Sequence, residues 1–228
     1  MTQLIAAALF LLVSHFGIAS TPIRPWLVAR LGERRYLALY SLIALGAIAW
    51  VIWAYHRAPY VELWPTPAAT TAVPLVVLPF AFVLAVAGLS TQNPTAVGAP
   101  AETLGGSAVR GIFRVTRHPF QWSVVLWAAA HLIANGDLAG IILFGAFGAL
   151  AGIGTALIDR KYAQSRGADW QAFAAATSNL PFAAIAAGRQ SFVFAEIGWG
   201  RVALGLALYL VLLAAHPWLF GAPPLAAL

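Results

Sequence analysis

Six apolar runs, each near the length that crosses a bilayer, are separated by loops that hold almost all of the charge. They cover 3–19, 37–55, 72–89, 119–134, 138–158 and 202–219. A spanning helix needs about 17–25 mostly apolar residues. Within lipid a chain must satisfy its own backbone hydrogen bonds, so such runs have to be helices. The sequence therefore predicts an all-α, polytopic bundle of about six transmembrane helices, in a single domain over 1–228. Charge agrees: 9% of residues are charged, against about 25% in soluble domains. The N-terminal stretch MTQLIAAALFLLVSHFGIAS lacks a basic leader and a small-x-small cleavage pattern, and reads as a retained helix.

The loops predict orientation. Of 13 basic residues, all but Arg57 fall in loops 20–36, 90–118 and 159–201. Cytoplasmic loops collect lysine and arginine, so these three loops are expected inside and both termini outside. In a bacterium this means the inner membrane with periplasmic termini. The basic residues form no stripe, which argues against nucleic acid. With no cysteine in the chain, disulfides, thiolate metal ligands, iron–sulfur clusters and cysteine nucleophiles are excluded.

Local signals refine the segments. Asn135-Gly136-Asp137 predicts a tight turn joining the fourth and fifth runs as an antiparallel hairpin. Pro74 suits a first helical turn, and Pro79 predicts a kink. In DRKYAQSRGADWQAFAAATSNLPF, Asp169 is the expected N-cap of a short interfacial helix, with Trp170 and Phe173 sharing one face.

Ionisable groups inside spans are costly and point to function. Five histidines occur, and depth sorts them. His15 lies near the inner end of the first run, and His118 begins the fourth. His131 is about 20 Å further along that helix and joins His56 and His216 near the outer face. His56 and His216 read as interfacial residues, and His131 as an interhelical hydrogen-bonding group or a cavity liner. His118 stands before Pro119, which favours a helix start there. Two level histidines on different helices can ligate haem iron between apolar walls. Arg24, Arg114 and Arg117 lie on the same side and could neutralise haem carboxylates. A lipophilic substrate or a membrane redox partner would suit such a site. The alternative from the residues alone is a cofactor-free accessory subunit whose histidines bond between helices.

HFGIASTPIR (15–24), LGERRYLALYSLIAL (31–45), Asn93-Pro94 and RVTRHPFQWSVVLWAAAHLIANGD (114–137) resemble the NnrU family of bacterial membrane proteins. The likeness continues through LFGAFGALAGIGTALIDRK, a G-x-x-W-x-x-F pattern and Asn179-Leu180-Pro181-Phe182. That family is associated with denitrification gene clusters, and it is similar to the plant zeta-carotene isomerases, membrane enzymes that use haem b. The resemblance implies haem b with His15 and His118 as axial ligands, and isomerisation that depends on reduced iron meeting a polyene. The absence of cysteine removes any thiolate ligand exchange. A more distant similarity, through Arg117-His118-Pro119 followed by Asp159, Gly167, Trp170, Phe173 and Pro181, is to membrane methyltransferases. It implies S-adenosylmethionine at the inner face, with Arg117, His118 and Asp159 in the site.

Overall fold

A computed structural model describes residues 1–92 and 109–224. Asn93 and Pro94 lie outside the described residues. The described chain forms helices and no strands; an isolated antiparallel bridge joins Glu62 to Asp137. The helices are α1 (Thr2–Ala19), α2 (Ile23–Leu31), α3 (Glu33–His56), α4 (Ala68–Thr71), α5 (Val73–Ser90), α6 (Ile112–Val115), α7 (Pro119–Ala134), α8 (Leu138–Ser165), α9 (Gly167–Ala176), α10 (Ala183–Ala186), α11 (Phe194–Ile197) and α12 (Trp199–Phe220).

All six apolar runs are helical, but they do not give six clear spans. Four segments are long and apolar enough by themselves: α3, α4 with α5, α8 and α12. A fifth exists if α1 and α2, bent by 74° at Ser20–Pro22, count as one broken span. The fourth run, α7, has 16 residues and reaches only about 24 Å at 1.5 Å per residue, short of a core about 30 Å thick. Among the described residues the structure thus offers four or five candidate spans, where the sequence predicts about six. Pro74 lies in the first turn of α5, as its missing N–H allows. The helix continues through Pro79 as one element.

The bundle is built around α5, α7 and α8. The α7 helix packs against α5 on one side and α8 on the other, α12 packs on α5, and α1 packs on α3 and α8. Small residues let these backbones approach, the usual device where lipid removes a hydrophobic drive between helices. A Cβ at Gly88 would stand 2.9 Å from the Phe120 nitrogen, and one at Gly205 would stand 2.9 Å from the Val83 Cα. The turn between α7 and α8 forms as its residues predict. Asp137 caps α8, accepting from the Gly140 N–H at 2.8 Å. Loop 61–64 is laid over this turn, with Leu63 N–H donating to Gly136 C=O at 2.7 Å and Leu138 N–H to Val61 C=O at 2.9 Å.

Asp169 does not cap α9. The cap residue is Arg166, and Gly167 at φ +54° turns the chain into the helix three residues earlier than expected. Trp170 and Phe173 do share a buried face, packed with Tyr162 of α8. Thus α9 is fastened back onto the end of α8.

Candidate functional site

The site begins with the break between α6 and α7. Pro119 has no N–H to donate and starts α7, so His118 falls at the N-cap with φ −125° and ψ 56°. Residues 115–118 are then zipped to the chain after α9. Arg117 N–H donates to Ser178 C=O at 2.9 Å, Phe182 N–H to Val115 C=O at 2.8 Å, and the Thr116 hydroxyl to Asn179 C=O at 2.5 Å. Phe182 takes a left-handed conformation, φ 64°, to make this return. These contacts bring Asn179 beside the start of α7.

Asp159, near the basic end of α8, is the centre of the resulting network. Its Oδ1 accepts from His118 Nε2 at 2.7 Å and from Arg117 Nε at 2.9 Å. Its Oδ2 accepts from Arg117 Nη2 at 2.5 Å and from Asn179 Nδ2 at 3.0 Å. Trp122 Nε1 donates to Asn179 Oδ1 at 3.3 Å, carrying the network one turn along α7.

His118 is 0% exposed. Burial moves its pKa below the ordinary imidazole range; the hydrogen bond and charge of Asp159 act the other way without overcoming it. A carboxylate only accepts, so Nε2 carries the proton. The neutral ring then has its lone pair on Nδ1. That atom is buried and has no hydrogen-bond partner among the described residues. A histidine with one nitrogen held by a carboxylate and the other presenting a bare lone pair has the outer-shell arrangement of a metal ligand. Gln121 Oε1, one turn further along α7, is likewise buried without a partner among the described residues.

His15 is arranged similarly by simpler means. Its Nδ1 donates to Leu11 C=O, one turn back in α1, at 2.8 Å, which leaves Nε2 as the lone-pair nitrogen. Its ring meets Tyr40 of α3 edge-on at 5.7 Å. The two histidines sit on helices that both pack on α8. Each imidazole thus has one nitrogen held by an acceptor and carries its lone pair on the other, the state in which histidine ligates a metal. No group of three or more metal-binding side chains occurs among the described residues.

The three arginines chosen from sequence part company. Arg117 holds Asp159. Arg114 holds Glu196 in a two-point bridge at 2.8 and 3.0 Å, and reaches Gln190 Oε1 at 2.6 Å. Glu196 also accepts from Gly111 N–H at 2.8 Å, and Arg114 with this N–H lowers its pKa to about 2. Arg24 lies over the Tyr36 ring at 5.6 Å and pairs with Glu33 at 3.5 Å.

His131 lies apart from these groups. Its Nδ1 donates to Trp127 C=O at 2.8 Å and its ring stacks on Phe144, with centroids 4.8 Å apart. It is a member of the aromatic packing between α7 and α8. His216 Nδ1 donates to Ala222 C=O at 2.7 Å beyond the end of α12. Sequence reasoning missed Asn179 and Trp122 as site residues; the Asn179-Leu180-Pro181-Phe182 return was the available signal.

The model of the NnrU protein family matches residues 3–224, almost the whole chain. The chain belongs to the NnrU family. It is also 30% identical over 189 residues to the chloroplastic 15-cis-zeta-carotene isomerase of Arabidopsis thaliana, covering 78% of this chain and 48% of that protein. The corresponding Zea mays isomerase is 30% identical over 190 residues, covering 78% and 49%. The chain thus spans about half the length of the curated relatives it matches. No solved structure matches. These comparisons do not show the methyltransferase resemblance.

Proposed function

We propose that this NnrU protein is a membrane isomerase of a lipophilic polyene, using b-type haem held by His15 and His118. The observation that carries the reading is the Asp159-anchored His118 with its buried, unpartnered Nδ1, in a chain related to 15-cis-zeta-carotene isomerases. When bound, haem would supply an iron centre whose redox state controls access of a double bond to the metal. The protein's own groups do the rest. Asp159 fixes the His118 tautomer and ring direction, and Arg117 and Asn179 keep Asp159 ionised and in place. The Leu11 carbonyl does for His15 what Asp159 does for His118. A hydrocarbon substrate would come from the bilayer, the phase that the exposed apolar side chains of the helices face.

The test is a visible spectrum of the detergent-purified protein, oxidised and reduced, alongside chromatography of 15-cis-zeta-carotene incubated with it. We expect a Soret band and a changed isomer ratio, both lost in His15→Ala and in His118→Ala. A colourless protein made with ample haem supply, together with an unchanged isomer ratio, would sink the proposal.

A further inference from the structure

An aromatic surface runs along the stretch 180–199, between α9 and the start of α12. Phe182, Phe192, Phe194 and Trp199 are 53, 49, 37 and 72% exposed. Their rings touch in a row. Phe182 meets Phe192 at 6.1 Å between ring centres, Phe192 meets Phe194 at 6.2 Å, and Phe194 meets Trp199 edge-on at 4.8 Å.

The polar side of the same stretch is fastened to the body of the protein. Its charged residues are Arg189 and Glu196. Arg189 donates to the Ala175 and Thr177 carbonyls, and Glu196 accepts from Arg114 and from the Gly111 N–H. Gln190 accepts from Arg114 at 2.6 Å, and Ala184 N–H donates to the Ser178 hydroxyl at 2.9 Å. Phe182 is the one non-glycine residue of the described chain with a left-handed backbone. A bulky residue takes that conformation only where its surroundings hold it there. The N–H bond to Val115 C=O supplies the hold, yet the ring stays half exposed instead of entering the core.

The level of this row is set by α12. Trp199 is the first residue of that helix, which is long and apolar enough to cross a membrane. The start of a spanning helix stands at the membrane boundary, where aromatic rings collect. The ring contacts carry Phe194, Phe192 and Phe182 outward from that level. In water such a row is an apolar patch without a partner. At the boundary between headgroups and acyl chains it suits a segment that lies on the membrane without crossing it.

We propose that residues 180–199 are a lipid anchor, which dips the rings of Phe182, Phe192, Phe194 and Trp199 into the headgroup–acyl boundary on the Asp159 side of the bilayer. The partner is lipid itself. Phe182 N–H belongs to the zip that brings Asn179 to Asp159, so the anchor also ties that network to the membrane surface.

The chain has no cysteine, so a single introduced cysteine can carry a nitroxide without background. Phe192→Cys and Phe194→Cys are labelled in the purified full chain, which is then returned to phosphatidylcholine–phosphatidylglycerol vesicles. Both positions leave the left-handed turn at Phe182 intact. Power saturation compares collisions with oxygen, which concentrates in lipid, and with a water-soluble nickel chelate. Val211→Cys, exposed in the middle of α12, marks lipid, and Ser165→Cys, exposed at the end of α8, marks water. The expected oxygen-to-nickel ratio at 192 and 194 is severalfold above that at 165 and approaches that at 211. A ratio equal to that at 165 overturns the proposal, because the rings then face water. Labels screened from both reagents also overturn it, because protein and not lipid then covers the row. The readout needs no haem, so it stands apart from the isomerase reading.

Discussion

Asp159 accepts from three different side chains, and two of them lie far away in sequence. Replacing it by Asn keeps the shape but removes the charge that Arg117 and His118 share. Breaking such a buried pair should lower stability by about 3 kcal/mol, read as a fall in the thermal midpoint of the purified protein. Arg114→Gln, at a more exposed bridge, should cost less than about 1 kcal/mol. Equal losses would mean that Asp159 has no special structural weight. Glu196 gives a pH prediction. Its pKa is held at about 2 in the fold against an ordinary value of 4.5, so the folded state releases this proton more readily than the unfolded chain. The stabilisation is complete above 4.5 and is lost as pH falls through the window down to 2. Thermal midpoints measured across that window should fall more steeply in the wild type than in Glu196→Gln. At this scale the sequence made His118 and Asp159 legible, because ionisable groups stand out against apolar helices. Asn179 and Trp122 stayed hidden, since neither is ionisable and their contact depends on how the chain returns after α9.

The helices depend on a few contacts where only glycine fits. Gly88 faces Pro119 and the Phe120 nitrogen, so a methyl group there must push the start of α7, and His118 with it. Gly88→Ala should therefore cost about 1–3 kcal/mol through overpacking, offset in part by the helix preference of alanine. It should also weaken any haem absorbance. Gly46, with open space around its Cβ direction, is the control, and Gly46→Ala should be neutral or mildly stabilising. A melt in which the two variants match would remove the tight α5–α7 contact from the account. Helix position was readable because apolar length is a strong signal, and so was the Asp137 cap. The start of α9 was misread because two candidates compete. Asp169 has the right chemistry for a cap, but Gly167 supplies the left-handed turn that sets the boundary. The shortness of α7 was visible in its length, yet length alone does not say how a helix meets the bilayer.

The two ends of the bundle differ in charge and in construction. At one end the loop after α3 is bonded to the α7–α8 turn, with Arg57 as the basic residue of that region. At the other end lie Asp159 and the segments zipped around it. Because loop 61–64 and the 135–138 turn are bonded together, both must be on one side of the membrane, whether or not α7 crosses as a full span. The positive-inside rule predicts that side to be the outer one. The chain has no cysteine, so single introduced thiols can be labelled without background. Glu62→Cys should react with a membrane-impermeant maleimide in intact cells, and Ser165→Cys only after permeabilisation. Labelling of position 165 in intact cells would invert the orientation. It would place the Asp159 network on the outer face.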